Sequence, residues 1–92
     1  MLKEYTRELL LDFGNDGRQL VPVITQDHSS KDVLILAFSN KAAFEETVRS
    51  GYATFFSRSR NEIWKKGQTS GDFLKVVEIR RAGDWVAVCV SP

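Results

Sequence analysis

Six consecutive apolar residues, VLILAF at 33–38, lie between the polar run DHSSKD and Asn40. They are apolar at both parities, so no amphipathic strand or helix leaves one side of them to water. A run of this length, rich in branched side chains and bounded by turn formers, predicts a strand covered on both faces. In a chain of 92 residues such a strand needs other elements layered on both of its faces. The sequence is read as a single domain, 1–92, near the small end of what folds alone.

The flanking patterns supply the layers. Leu2, Tyr5, Leu9 and Phe13 recur at spacings of three and four, which predicts an amphipathic helix, and GNDG at 14–17 ends it with residues that tolerate tight turns. LVPVIT reads as a strand with Pro22 near its start, because proline has no N–H for a ladder. Asn40 is a good N-cap for KAAFEETVRS, in which Phe44 and Val48 share a face, and Gly51 stands where a helix C-terminal glycine belongs. YATFFSRSR, FLKVVEIRR and WVAVCV read as further strands, the last two joined by an AGD turn. The order predicts an α+β fold: two helices on a small, mostly antiparallel sheet or barrel.

Composition bounds what such a domain does. Apolar residues at 42% supply a core, and charged residues at 27% with two prolines argue against disorder. A net charge of +1 provides no global field for nucleic acid or membrane, so any electrostatic preference is local. One cysteine allows no internal disulfide, which fits a reducing compartment. The first residues, MLKEYTRELLLDF, carry charges at 3, 4, 7 and 8 and do not read as a signal sequence, and no run is long enough to span a bilayer. The expectation is a soluble cytoplasmic protein with no membrane partner.

The stretch FFSRSRNEIWKKGQTSG (55–71) is where the charge is local. Residues 57–71 hold four basic side chains, Arg58, Arg60, Lys65 and Lys66, against one acid, Glu62. If the strand continues through them, alternation puts Ser57 and Ser59 on one face and Arg58 and Arg60, about 7 Å apart, on the other, where they can grip a phosphate. The GQTSG loop adds backbone N–H groups, two hydroxyls and glycines that permit close approach of an anion. Trp64 offers a flat face for a base. The competing reading is a solvated basic hairpin with Trp64 as a core anchor, because a loose basic-plus-glycine pattern is unspecific.

The run SRSRNEIWKKGQTSG resembles the signature of phosphoribosyl-AMP cyclohydrolases, the histidine-biosynthesis enzymes that open the adenine ring. VPVITQD (21–27), DVLILAFSN (32–40), GYATFFSRSR (51–60) and KVVEIR (75–80) are similar to that family in order and spacing. The resemblance covers roughly residues 20 to 80. It implies an intertwined homodimer with pockets at the subunit interface, and an adenine nucleotide as ligand. Carried over, Ser57, Arg58, Ser59, Arg60, Trp64, Lys66, Gly67, Gln68, Thr69, Ser70 and Gly71 are the ligand-binding candidates. Gln68 stands where glutamate is common in the family and Ser39 where methionine is usual; both departures are mild.

The departures further on are larger. The family's attack of water on C6 of adenine needs a metal to make that water nucleophilic. Its members follow the EIR-like strand with an Asp-Cys-Asp-x-Asp cluster and supply two more cysteines later. This chain reads EIRRAGDWVAVCVSP, in which only Asp84 answers to the cluster. The chain's one cysteine, Cys89, sits in an apolar run and its one histidine, His28, in a polar turn. Structural roles are expected for both, with no metal, no cofactor and no catalytic residue.

On these grounds the sequence predicts a non-catalytic binder of a phosphoribosyl-AMP-like or ADP-ribose-derived nucleotide. A pseudoenzyme of this kind would serve as a sensor, or as a sponge sequestering a nucleotide immune signal, as in phage anti-defence. The first alternative is a divergent cyclohydrolase that breaks the N1–C6 bond of the adenine ring. The second is a single-stranded nucleic-acid module built on Arg58, Arg60, Lys65 and Lys66 with Phe55, Phe56 and Trp64. Near-neutral charge argues against the second.

Overall fold

In the computed structural model the described residues are 12–67, 70–82 and 85–91, with Ala82 described by its backbone alone. The helix expected from Leu2, Tyr5 and Leu9, the loop residues Gln68 and Thr69, and Asp84 of the expected AGD turn lie outside them.

Strand β1 (Val21–Asp27) and strand β2 (Val33–Ser39) form an antiparallel hairpin. Its turn is held by Asp27, whose carboxylate accepts from the backbone N–H groups of Ser29 and Ser30, each at 2.9 Å. Those two bonds, Ser30 first, hold the Asp27 carboxyl below its usual range. Pro22 pairs with Phe38 of β2 and lies just before β1 begins its parallel ladder to β6 at Val23. A residue without an N–H is therefore placed where one side of the strand has no partner.

Helix α1 (Lys41–Ser50) starts at Asn40, whose side chain accepts from the Ala43 N–H at 2.9 Å. It ends at Gly51, which takes the left-handed conformation at φ 80° and donates to the Thr47 carbonyl. Strands β3 (Thr54–Ser57) and β4 (Glu62–Lys65) form a separate two-stranded hairpin. Strands β5 (Lys75–Ala82) and β6 (Trp85–Ser91) complete a four-stranded sheet of order β2-β1-β6-β5. The β1–β6 pair is parallel and the others antiparallel. The fold is α+β as expected; among the described residues the sheet is open, with β2 and β5 as its edges, and the described strands form no closed barrel.

The core lies between the four-stranded sheet, α1 and the β3–β4 hairpin. Val21 and Val23 of β1, Val86, Val88 and Val90 of β6, Phe44 and Val48 of α1, and Phe55 of β3 make up most of it. The buried Thr47 hydroxyl accepts from the Thr54 N–H at 3.1 Å and lies 3.0 Å from the Thr54 carbonyl oxygen, which fastens the helix to the start of β3.

One expectation fails here. The VLILAF strand is not covered on both faces: Val33 is 62% exposed and Leu36 65%. The reason is topological. β2 is an edge strand; Ile35 and Ala37 pack against the core, while among the described residues Val33, Leu34 and Leu36 stay exposed. Both-parity apolarity does report a demand for cover, but among the described residues only one face receives it.

Candidate functional site

The β3–β4 hairpin carries the cationic motif, and its register differs from simple strand continuation. β3 stops at Ser57, and residues 58–61 form the turn. Ser57 Oγ accepts from the Arg60 N–H at 3.3 Å, and Asn61 takes a positive φ of 53°, a conformation asparagine tolerates. Ser57 thus faces Glu62, Phe55 faces Trp64, and Thr54 faces Lys65. The expected alternation of Arg58 and Arg60 along a strand is corrected by this turn. Arg58 instead lays its guanidinium over the Phe38 ring of β2, 4.2 Å from the centroid.

Beyond β4 the chain turns at Gly67. Its φ is +94°, and a Cβ there would come within 2.4 Å of the Asp72 and Phe73 backbone. Only glycine lets the two arms of the loop approach so closely. The loop is closed by hydrogen bonds from Gly71 N–H to the Gly67 carbonyl (2.6 Å) and from Lys66 N–H to the Ala53 carbonyl (3.1 Å).

Hairpin and loop line an open cavity of about 490 Å³, within the range of small-molecule sites. Its lining is Ser57, Ser59, Arg60, Glu62, Trp64, Lys65, Lys66, Gly67 and Ser70. Seven of these are sequence-derived candidates. Arg58 and Gly71 are not in the wall, and Gln68 and Thr69 lie outside the described residues. Glu62 and Lys65 join the site without having been singled out as ligand contacts. Reading residues 58–61 as a tight turn would have paired Glu62 with Ser57 and brought both in.

Electrostatically the wall holds three cations against one carboxylate. Glu62 lies 3.7 Å from Arg60 in an exposed pair, the kind that contributes little. Lys65 Nζ is 3.5 Å from Glu46 Oε2 of α1, and Glu46 also accepts from Arg49. The hydrogen bonds from Arg49, assisted by Lys65, hold the Glu46 carboxyl below its usual range. Trp64 is half-buried, packs on the core against Phe55 with ring centroids 5.1 Å apart, and also lines the cavity. The core-anchor and ligand-platform readings of this residue are therefore compatible.

Metal-type donors are placed elsewhere. The β5–β6 connection, where the resemblance calls for Asp-Cys-Asp-x-Asp, reads Arg81-Ala82-Gly83-Asp84. That run does not offer three donors, so it does not fit the family's metals and no step is derived through them. Among the described residues His28, Glu78 and Cys89 do come together, their donor atoms all within 4.8 Å of one another. The expectation of unrelated structural roles for His28 and Cys89 did not foresee this.

The sheet, its helix and this cation- and hydroxyl-lined cavity define a small α+β domain with an anion-compatible pocket. The chain belongs to the phosphoribosyl-AMP cyclohydrolase family, whose sequence profile matches residues 35–91. It is 54% identical over 70 residues to the phosphoribosyl-AMP cyclohydrolase of Desulforapulum autotrophicum, covering 76% of this chain and 55% of that protein. With the enzyme of the same name from Archaeoglobus fulgidus it shares 52% over 65 residues, 71% of this chain and 60% of the relative. With the histidine biosynthesis bifunctional protein HisIE of Aquifex aeolicus it shares 49% over 72 residues, 78% of this chain and 34% of the relative. The chain thus spans between a third and three fifths of the length of these curated relatives.

The Desulforapulum and Archaeoglobus relatives carry the name of an enzyme, which overturns the expectation of a non-catalytic binder and, with it, the pseudoenzyme, sponge and anti-defence readings. The missing Asp-Cys-Asp-x-Asp cluster and later cysteines had argued for a binder; against them stands 49–54% identity over 65–72 residues. No helix among the described residues is long and apolar enough to cross a membrane.

Proposed function

We propose that the chain is a catalytic cyclohydrolase domain acting on phosphoribosyl-AMP: water adds at C6 of the N1-substituted adenine, the N1–C6 bond breaks with its electron pair going to N1, N1 takes up a proton, and C6 becomes a carboxamide carbon still attached to the imidazole ring. The observation that carries this is the coincidence of the cavity wall with the family motif. In the reading, Arg60 and Lys66 hold phosphate through charge-assisted hydrogen bonds. Ser57, Ser59 and Ser70 offer hydroxyls to phosphate or ribose oxygens, and Trp64 lies under the base. The backbone at Gly67 approaches an anion closely because it carries no side chain. Their contribution is to bind and orient the substrate, which lowers the entropic part of the barrier to attack at one ring carbon.

The resemblance also supports a homodimer. The outer face of β2, with Val33, Leu34 and Leu36 exposed, is an apolar surface of the kind an oligomer covers, and a second copy is the proposed cover. Light scattering tests the dimer. Steady-state turnover tests the reaction: conversion of phosphoribosyl-AMP with saturation kinetics, and none of AMP, supports the proposal. Tight binding without conversion counts against it.

A further inference from the structure

The chain has one histidine and one cysteine, 61 positions apart, and the fold puts both beside the same carboxylate. β1 runs parallel to β6, so the end of β1 lies at the end of β6, where Asp27 pairs with Val90. His28 follows directly, and its backbone N–H donates to the Val90 carbonyl at 2.8 Å. Across the other edge of β6, Glu78 is the register partner of Cys89, just past the irregularity between Val76 and Glu78. Three strands thus converge to present an imidazole nitrogen, a carboxylate oxygen and a thiol sulfur, all within 4.8 Å of one another.

We propose that His28, Glu78 and Cys89 form a three-ligand site for a zinc-class divalent cation, distinct in its residues from the nucleotide pocket. The donor set fits the ion. Nitrogen, sulfur and oxygen together suit zinc and exclude magnesium or calcium as the preferred occupant, since those favour oxygen alone. A thiolate and a carboxylate carry two negative charges, which match a divalent ion.

The geometry fits after small movements. A tetrahedral ion at ordinary zinc bond lengths spaces its donors about 3.3–3.6 Å apart, so closing from 4.8 Å takes rotamer shifts on the order of an ångström. Cys89 is buried and fixed on β6, whereas His28 is exposed and Glu78 half-buried, so the movable ligands are those with room to move. Arg80 Nε holds Glu78 Oε2 at 2.9 Å and orients the carboxylate, as outer partners of metal ligands commonly do. Because His28 is exposed, water can reach the site and complete the shell. Three protein ligands plus water is the pattern of an open zinc site. An ion here would tie the β1–β2 turn to β5 and β6.

The test uses the purified chain stripped of metal by a chelator, titrated with cobalt(II) and then with zinc. The expected result is about one cobalt per chain, visible ligand-field bands of tetrahedral strength and a near-ultraviolet sulfur-to-cobalt charge-transfer band, all displaced by equimolar zinc. Because Cys89 is the only cysteine in the sequence, that charge-transfer band reports this site alone. Cys89→Ser should abolish the band. His28→Gln and Glu78→Gln should each weaken zinc binding by at least about tenfold, since even second-shell losses cost that much. If Cys89→Ser does not fold, the exposed His28→Gln still decides. A cobalt spectrum without the charge-transfer band, or zinc affinity unchanged in His28→Gln, would overturn the proposal. Either would leave a Glu78–Arg80 ion pair beside a buried thiol.

Discussion

The Arg58 guanidinium lies 4.2 Å from the centroid of the Phe38 ring, while Arg60, two residues further on, lines the cavity. The turn at 58–61 divides two arginines that strand alternation would have placed side by side.

Their substitutions should therefore differ. Arg60→Ala should weaken binding of phosphoribosyl-AMP by roughly 1.5–3 kcal/mol, the range for hydrogen bonds to charged groups. Arg58→Ala should leave affinity nearly unchanged and cost about 0.5–1 kcal/mol of stability, the value of an exposed cation–π contact. Calorimetric titration and urea unfolding of the two variants give the comparison directly.

Trp64 bridges core and cavity, so two substitutions separate its roles. Trp64→Ala should destabilise the fold by about 2–3 kcal/mol, below the range for a fully buried aromatic because the side chain is half-exposed, and should lose binding as well. Trp64→Phe keeps an aromatic ring against Phe55 and should retain most stability, while the smaller platform weakens nucleotide binding. Stability lost with nucleotide binding unchanged in Trp64→Phe would show that the indole is purely a core anchor.

Gly67 is conformationally obligatory. Gly67→Ala adds a Cβ within 2.4 Å of the Asp72 and Phe73 backbone at φ +94°. The left-handed penalty alone is about 1–2 kcal/mol, and the clash forces the loop open in addition. Both the urea midpoint and ligand affinity should fall; a variant with wild-type affinity would mean the loop does not form part of the site.

Glu46 gives the fold a defined acid response. Its carboxyl is held below the ordinary value of 4.5 by Arg49 first and by Lys65 to a smaller extent. A depressed native pKa means the unfolded chain takes up protons first, so this stabilisation is complete above the unfolded value. It is lost as pH falls from about 4.5 through the lower native value. Glu46→Gln should flatten that part of the stability-against-pH curve; an unchanged curve would show that the pair is not formed in solution.

The sequence made some of these features readable and hid others for physical reasons. Asn40 and Gly51 marked both ends of α1, because caps are local chemistry. Ser57, Ser59, Arg60 and Gly67 could be picked from the sequence and do line one cavity, because charge and backbone freedom are written in residue type, whereas Arg58 and Gly71 could be picked equally well and do not line it. The turn at 58–61 was hidden, since serine and arginine suit a strand as well as a turn and only the Ser57–Arg60 hydrogen bond decides between them. The exposed outer face of β2 was hidden because apolarity at both parities records the need for cover and not what supplies it. The meeting of His28 and Cys89 was hidden most deeply: it depends on a parallel β1–β6 pairing that no local pattern announces.

The central claim is catalysis, and a mass balance in heavy-oxygen water tests it most directly. The purified protein is incubated with phosphoribosyl-AMP, zinc and magnesium, and the nucleotide recovered after denaturation is weighed by mass spectrometry. The account predicts a product one water heavier than the substrate, carrying the heavy oxygen on the new carboxamide and accumulating well beyond the amount of protein. Intact phosphoribosyl-AMP recovered in amounts equal to the protein, with no label incorporated, would contradict it.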